Sequence, residues 1–327
     1  MSSISIVIPV FNKKRTLVRA VVSAVEQRVE QGYHEVVIVD DGSTDGGVES
    51  LPDHLLACIK VVRQPNAGVS VARNVGVRES SSDLVMFLDA DDELLPGSAQ
   101  AFINLSRCYG GASFYSGAHE KVSEYGDIFL PKGAWSPKKE GLIADFYREY
   151  RVNAGLVNSS SVCVRKKVFQ EVGGFPVGER LGEDVYLWIM LAMHGELAHT
   201  GRVISRVYRN AQNRSAASNI SNNAPPYFVK CFLMEDQGKA LYRHQPGLRK
   251  LIFRLALWNA LEAKETGAYG RVKSICKCYR SEPMQWAVLS IAKIIPARWI
   301  RRLRRVKSAL LVRATAIRTI KNRSEEL

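Results

Sequence analysis

Apolar and β-branched residues gather into four short runs near the start of the chain: Ile4 to Val10, Glu35 to Val39, Ile59 to Arg63 and Leu84 to Leu88. Each predicts a buried strand. After the first run, Leu17, Val18, Val21 and Val25 recur at three to four residues, while Lys13, Lys14, Arg15 and Arg19 occupy the other faces. That period predicts an amphipathic helix packed on the sheet. Strands alternating with helices in this way predict a mostly parallel sheet with helices on both faces.

The pattern changes in a second region, from about Ala112 to Tyr208, which contains NSSSVCVRKKVF, a GGF turn and GEDVYLWIMLAMHG. The last of these predicts a helix whose first turn carries acidic residues, the end at which the helix dipole favours negative charge. RNAQNRSAASNISNNAPP follows, and its small polar residues and closing prolines predict a linker. From Tyr227 onward the pattern is helical and increasingly basic. The predicted organisation is an α/β domain over residues 1–215, divided at about residue 111, and a helical basic extension over 216–327.

Length and composition fit this picture. The chain has 327 residues, 46% hydrophobic and 24% charged, the composition of a folded globular protein. Six scattered cysteines lack the paired spacing of a zinc site and read as reduced thiols of a cytoplasmic protein. The N-terminus enters a strand without the basic and apolar segments of a signal peptide, and no apolar run is long enough to span a bilayer.

The net charge of +14 adds one feature. From Trp286 onward eleven Lys and Arg residues face two Glu, and they alternate with Trp286, Ile291, Ile294, Ile295, Trp299, Ile300 and Leu303. A basic amphipathic segment with tryptophans predicts attachment to an anionic membrane surface. The alternative is an apolar face packed on the rest of the protein with its cations solvated. No nucleic-acid motif accompanies the charge, so no nucleic-acid partner is expected.

Four segments carry candidate chemistry. LVMFLDADDEL delivers Asp89, Asp91 and Asp92 to the end of a strand, where crowded carboxylates need a cation or hydrogen-bond donors. A divalent ion such as Mg²⁺ or Mn²⁺ suits these hard oxygen ligands, and a solvated turn is the plain alternative. VVIVDDGSTDGG puts Asp40 and Asp41 after a strand, placed either to bind a nucleoside or only to make a turn. QPNAGVSVARNVGV offers Asn66, Gly68, Arg73 and Asn74 at a helix start that can meet a diphosphate; alternatively Arg73 pairs with an aspartate of the second segment. GERLGEDVYLWIML places Glu183 and Asp184 at the start of an apolar helix, as reacting groups or as partners of the helix dipole. The chain has neither a P-loop nor a dinucleotide fingerprint.

In this order, IVIPVFN, VVIVDDGSTDG, NAGVSVARN, LDADDEL and GEDVYLW resemble the family-two glycosyltransferases of the GT-A fold, with coverage from about Ile4 to Tyr208. The resemblance implies an inverting enzyme that uses nucleoside-diphosphate sugars, usually UDP-sugars, in cell-surface glycan or polysaccharide synthesis. It implies a nucleotide-sugar site near Pro9, Asp41, Arg73, Asp89 and Asp91, with Mn²⁺ or Mg²⁺ on Asp91 and Asp89. Asp184 would be the catalytic base. Residues 1–111 would form the nucleotide-sugar half and 112–215 the acceptor and base half. The acceptor would be a glycan or lipid-linked glycan, and the protein cytoplasmic, peripheral on the inner face of the plasma membrane. Family members often carry a histidine after the base helix; here VYRNAQNRSAAS has none, leaving Asn210, Gln212 and Asn213 in its place.

Two readings compete. A non-catalytic nucleotide-sugar or membrane-surface module of the same fold would not require a base such as Asp184. A sugar-phosphate nucleotidyltransferase would require a glycine-rich basic loop near the N-terminus, which this sequence lacks.

Overall fold

The computed structural model describes residues 2–30, 32–123, 125–130, 140–208 and 223–300. Its first half alternates strand and helix: β1 (Ser2–Val10), α1 (Lys14–Val25), β2 (Gly32–Asp40), α2 (Asp53–Leu56), β3 (Lys60–Arg63), α3 (Val69–Glu79) and β4 (Leu84–Phe87). The second part is less regular: β5 (Glu93–Leu94), α4 (Ser98–Cys108), β6 (Phe114–Val122), β7 (Ile128–Phe129), β8 (Glu140–Ile143), α5 (Phe146–Val152), β9 (Val162–Arg165), α6 (Lys166–Glu171), α7 (Glu183–His194) and β10 (Leu197–Tyr208). Five further helices follow: α8 (Tyr227–Met234), α9 (Asp236–His244), α10 (Pro246–Glu265), α11 (Tyr269–Cys278) and α12 (Pro283–Ile294).

The strands form a ten-stranded sheet whose main order is β3-β2-β1-β4-β9-β6-β10-β5, with β7 beside β6 and β8 beside β10. The strands from β3 to β4 run parallel, as do β6 and β10. β9 lies antiparallel between β4 and β6, so the sheet is mixed but mostly parallel in its first half. The four apolar runs of the sequence correspond to β1 through β4, and the predicted helical extension corresponds to α8 through α12.

Strand alternation explains why both faces are covered. Ile4, Ile6 and Ile8 of β1 point with Met86 of β4 into one core, against Leu17, Ala20 and Val21 of α1 and Phe102 of α4. Val7 points the other way, where α3 lies so close that a Cβ at Gly76 would sit 2.2 Å from a Val7 methyl. On this second face Phe87, Phe169, Phe175 and Trp188 make an aromatic cluster with ring centroids 5.4–6.0 Å apart. The tight seat of α3 and the aromatic anchoring of α7 fix the two helices that carry Arg73 and Asp184.

The contacts divide the described residues into two compact units, one comprising residues up to 208 with 245–251, the other 223–244 with 252–300. In the second unit Val272 and Ile275 of α11 are buried, as are Leu289 and Ala292 of α12. All six cysteines are free. Among the described residues no helix is long and apolar enough to cross a membrane. Asn210, Gln212, Asn213 and the basic segment from Arg301 onward lie outside the described residues.

Candidate active site

The buried strand β4 continues through Leu88, whose N–H donates to the Val7 carbonyl, and delivers Asp89 past the sheet edge. The chain turns there, with the Asp92 N–H donating to the Asp89 carbonyl at 2.9 Å. Carboxylate oxygens of Asp89, Asp91 and Asp92 consequently lie within 4.8 Å of one another.

Each of the three has a different partner. Asp89 accepts from Arg73 Nη2 at 2.7 Å, and Asp91 pairs with Lys13 Nζ at 2.8 Å. Asp92 accepts from Ser160 Oγ at 2.6 Å and from the Tyr208 N–H at 3.0 Å. Burial pushes the Asp92 carboxyl up to about 8, and the neighbouring Asp89 and Asp91 charges push it further than its hydrogen bonds pull it down. Asp92 is tied into the protein, whereas Asp89 retains 34% side-chain exposure at the rim. Hard oxygen donors on one open corner suit Mg²⁺ or Mn²⁺, so these residues fit the divalent ion that the sequence implies.

Arg73 connects this corner to α7. It is 4% exposed, with its Nη2 on Asp89, its Nη1 4.0 Å from Glu183 Oε1 and its guanidinium 5.0 Å above the Phe175 ring. Burial disfavours its charge, but the Asp89 and Glu183 carboxylates more than offset that, holding its pKa above the ordinary value. The alternative partner for Arg73, an aspartate of the DDGSTD segment, is not the one found: among the described residues its ion pairs are with Asp89 of the DADD segment and Glu183 of α7.

At the start of α7, Gly182 adopts φ +76° and turns the chain so that Glu183 and Asp184 begin the helix together. Burial pushes Glu183 up to about 7, the Asp184 charge adds to this, and Arg73 opposes it. Burial also raises Asp184, whose carboxylate accepts from the Val185 N–H at 2.7 Å. A carboxylate with a raised proton affinity, held beside an acidic corner, is suited to taking a proton from a hydroxyl.

The second segment is held by hydrogen bonds to the loop ahead of α3. Asp41 is 3% exposed and accepts from Gln64 Nε2 at 2.7 Å and from the Ala67 and Gly68 N–H groups at 2.8 Å each. It therefore organises the loop ahead of α3 through the Ala67 and Gly68 amides. Gly42 makes this closure feasible, since a Cβ there would stand 2.8 Å from the Asn66 nitrogen. Pro9 is buried near the end of β1, opposite Val39 of β2. Beside these loops is an open depression of about 430 Å³ lined by Asp40, Gly42, Ser43, Arg63, Gln64 and Pro65.

Several residues of the site carried no functional expectation from the sequence. Lys13 belonged to a polar helix face, yet its ammonium is on Asp91. Ser160, in the serine run of NSSSVCV, joins the Asp89 N–H to the Asp92 carboxyl. Asn12, at φ +52°, accepts from the Thr44 N–H and locks the first loop to the second. The one sequence signal was position: IVIPVFNKK follows a strand that ends at the same sheet edge.

An acidic corner at strand ends, a buried arginine and a pair of helix-start acids on a mixed α/β sheet define a GT-A type transferase fold. Residues 5–144 match the family described as Glycosyl transferase family 2, so this part of the chain is similar to the members of that family. Among relatives, it is 25% identical over 211 residues to an uncharacterized glycosyltransferase of Rickettsia conorii, covering 63% of this chain and 33% of that protein. It is 32% identical over 97 residues to the poly(ribitol-phosphate) β-N-acetylglucosaminyltransferase TarP of Staphylococcus aureus, covering 29% and 30% of the two chains. The chain thus spans about a third of the length of the curated relatives it matches. The structure of S. aureus TarS residues 1–349 with UDP-GlcNAc superposes with a TM-score of 0.64 at 15% identity, covering 94% of this chain and 92% of that one.

Proposed function

We propose that the protein transfers a sugar from a nucleoside-diphosphate sugar, a UDP-sugar by preference, to an acceptor hydroxyl with inversion at the anomeric carbon. The observation that carries this reading is the single buried guanidinium of Arg73, which joins the DADD corner to the Glu183 and Asp184 helix start. A binding module has no need to hold a carboxylate of raised proton affinity next to an acidic corner.

Asp91 and Asp89 would hold Mn²⁺ or Mg²⁺, which when bound neutralises charge on the leaving diphosphate. Asp92, tied to Ser160 and Tyr208, stiffens the turn that presents them. Asp184 takes the proton of the attacking hydroxyl, and Arg73 keeps the α7 start in register with the donor corner. Asp41 holds the loop over which the nucleoside lies. Residues 1–215 would form the catalytic domain. The acceptor is a cell-surface glycan or its lipid-linked precursor, met at the cytoplasmic face of the membrane.

The test is donor hydrolysis. Purified protein is incubated with a panel of nucleotide sugars and Mn²⁺ or Mg²⁺, and nucleoside diphosphate release is measured. Metal-dependent release from one UDP-sugar is the expected outcome; no release from any donor, with metal and nucleotide still bound, returns the protein to the class of non-catalytic modules.

A further inference from the structure

The final helix of the described chain, α12, has two unlike sides. Leu289 and Ala292 are buried, at 0% and 2% exposure. On the opposite side Met284, Val288, Ile291 and Ile294 are 79%, 42%, 55% and 80% exposed. With exposed Ala287 these positions recur at steps of three and four, so they form one apolar stripe along the helix rather than scattered surface residues. Trp286 and Trp299 flank the stripe and are also exposed. A stripe of this kind facing water is unusual in a soluble helix and marks a contact surface.

Charge identifies what covers it. Arg298 is exposed, and nine further Lys and Arg residues follow it in the sequence against Glu325 and Glu326. An apolar partner protein would not call for a sequence so rich in cations, whereas an anionic bilayer offers hydrocarbon and phosphate together.

We propose that the bare face of α12 is a docking surface for an anionic lipid bilayer. Met284, Val288, Ile291 and Ile294 enter the headgroup and acyl boundary, Trp286 and Trp299 sit at headgroup level, and the exposed Lys293 and Arg298 meet lipid phosphates. The surface deepens the membrane-face reading given above, but it is measurable without donor, metal or acceptor, so the failure of either is seen separately.

The experiment is co-sedimentation of the full chain with vesicles of phosphatidylcholine alone or with phosphatidylglycerol, at low and high salt. The parent is expected to bind the anionic vesicles and not the neutral ones. Ile291→Ser/Ile294→Ser, which keeps every charge and alters only exposed positions, is expected to bind about tenfold or more weakly and to be released completely by high salt. Met284→Ser/Val288→Ser provides a second variant on the same stripe, and thermal unfolding midpoints equal to the parent's establish that both fold. Unchanged vesicle binding in both variants overturns the proposal, because the cations alone would then account for attachment. It is equally overturned if the parent is a dimer that the substitutions convert to monomer without loss of vesicle binding, since a second copy would then cover the stripe.

Discussion

Replacing Arg73 by Met removes the one cation among Asp89, Glu183 and Asp184 while nearly preserving side-chain volume, and it has a calculable signature in pH. In the parent, burial and Asp184 raise Glu183 to about 7, above the ordinary 4.5, against the pull of Arg73. A carboxyl whose folded-state pKa is raised contributes stability below its unfolded pKa and loses it as pH rises through the folded value, here between about 4.5 and 7. The loss in the parent is on the order of 3 kcal/mol. Without Arg73 the folded pKa moves higher still, so the loss continues above pH 7. The variant should be destabilised by roughly 1–2 kcal/mol near pH 5, where the acids can protonate, and by roughly 3–5 kcal/mol near pH 8, where a buried charge has lost its partner. Urea unfolding at the two pH values measures both. Equal destabilisation at pH 5 and pH 8, or a loss below about 1 kcal/mol at both, would refute the claim that this guanidinium neutralises the α7 acids.

Two other substitutions separate ligand contacts from scaffolding. Asp91→Ala is expected to abolish the metal dependence of donor binding in calorimetry, since it deletes a carboxylate of the acidic corner and its ion pair with Lys13; retained metal-dependent affinity would remove Asp91 from the ligand set. Asp41→Ala leaves Gln64 and two backbone amides without their acceptor, so it should cost about 2–4 kcal/mol of stability and weaken UDP binding by roughly 1–3 kcal/mol through the loosened loop. An unchanged unfolding midpoint would show that those three bonds do not hold the loop.

The first half of the sheet was legible because β1, the end of β2 and β4 are buried on both faces and their apolar runs are nearly continuous, while the half-buried edge strand β3 keeps the two valines of its run. The second half was not. β6 and β10 carry buried Ser116, His119, His199 and Ser205 at central positions, which interrupts the hydrophobic pattern that marks a strand. The acidic strand end and the acid-started helix α7 could be read locally, because each is a short segment with its own turn or cap chemistry. The connections among them could not. Arg73 meets Asp89 and Glu183, Lys13 meets Asp91, and Ser160 meets Asp92, over separations that only the folded topology sets. Asp41 adds a role that its place at the strand end did not reveal: its carboxylate accepts from the amides ahead of α3.

The most direct measurement is Asp184→Asn, assayed on one preparation for transfer rate, UDP-sugar affinity and unfolding midpoint. A base acts only as the acceptor hydroxyl attacks, so donor and metal binding should be nearly unchanged while turnover falls by about 10²–10⁴-fold. A carboxylate serving only the helix dipole would cost about 0.3–1 kcal/mol of stability and leave the rate alone. Turnover at the parental rate would contradict the assignment of Asp184 as the base and leave Glu183 as the carboxylate to examine.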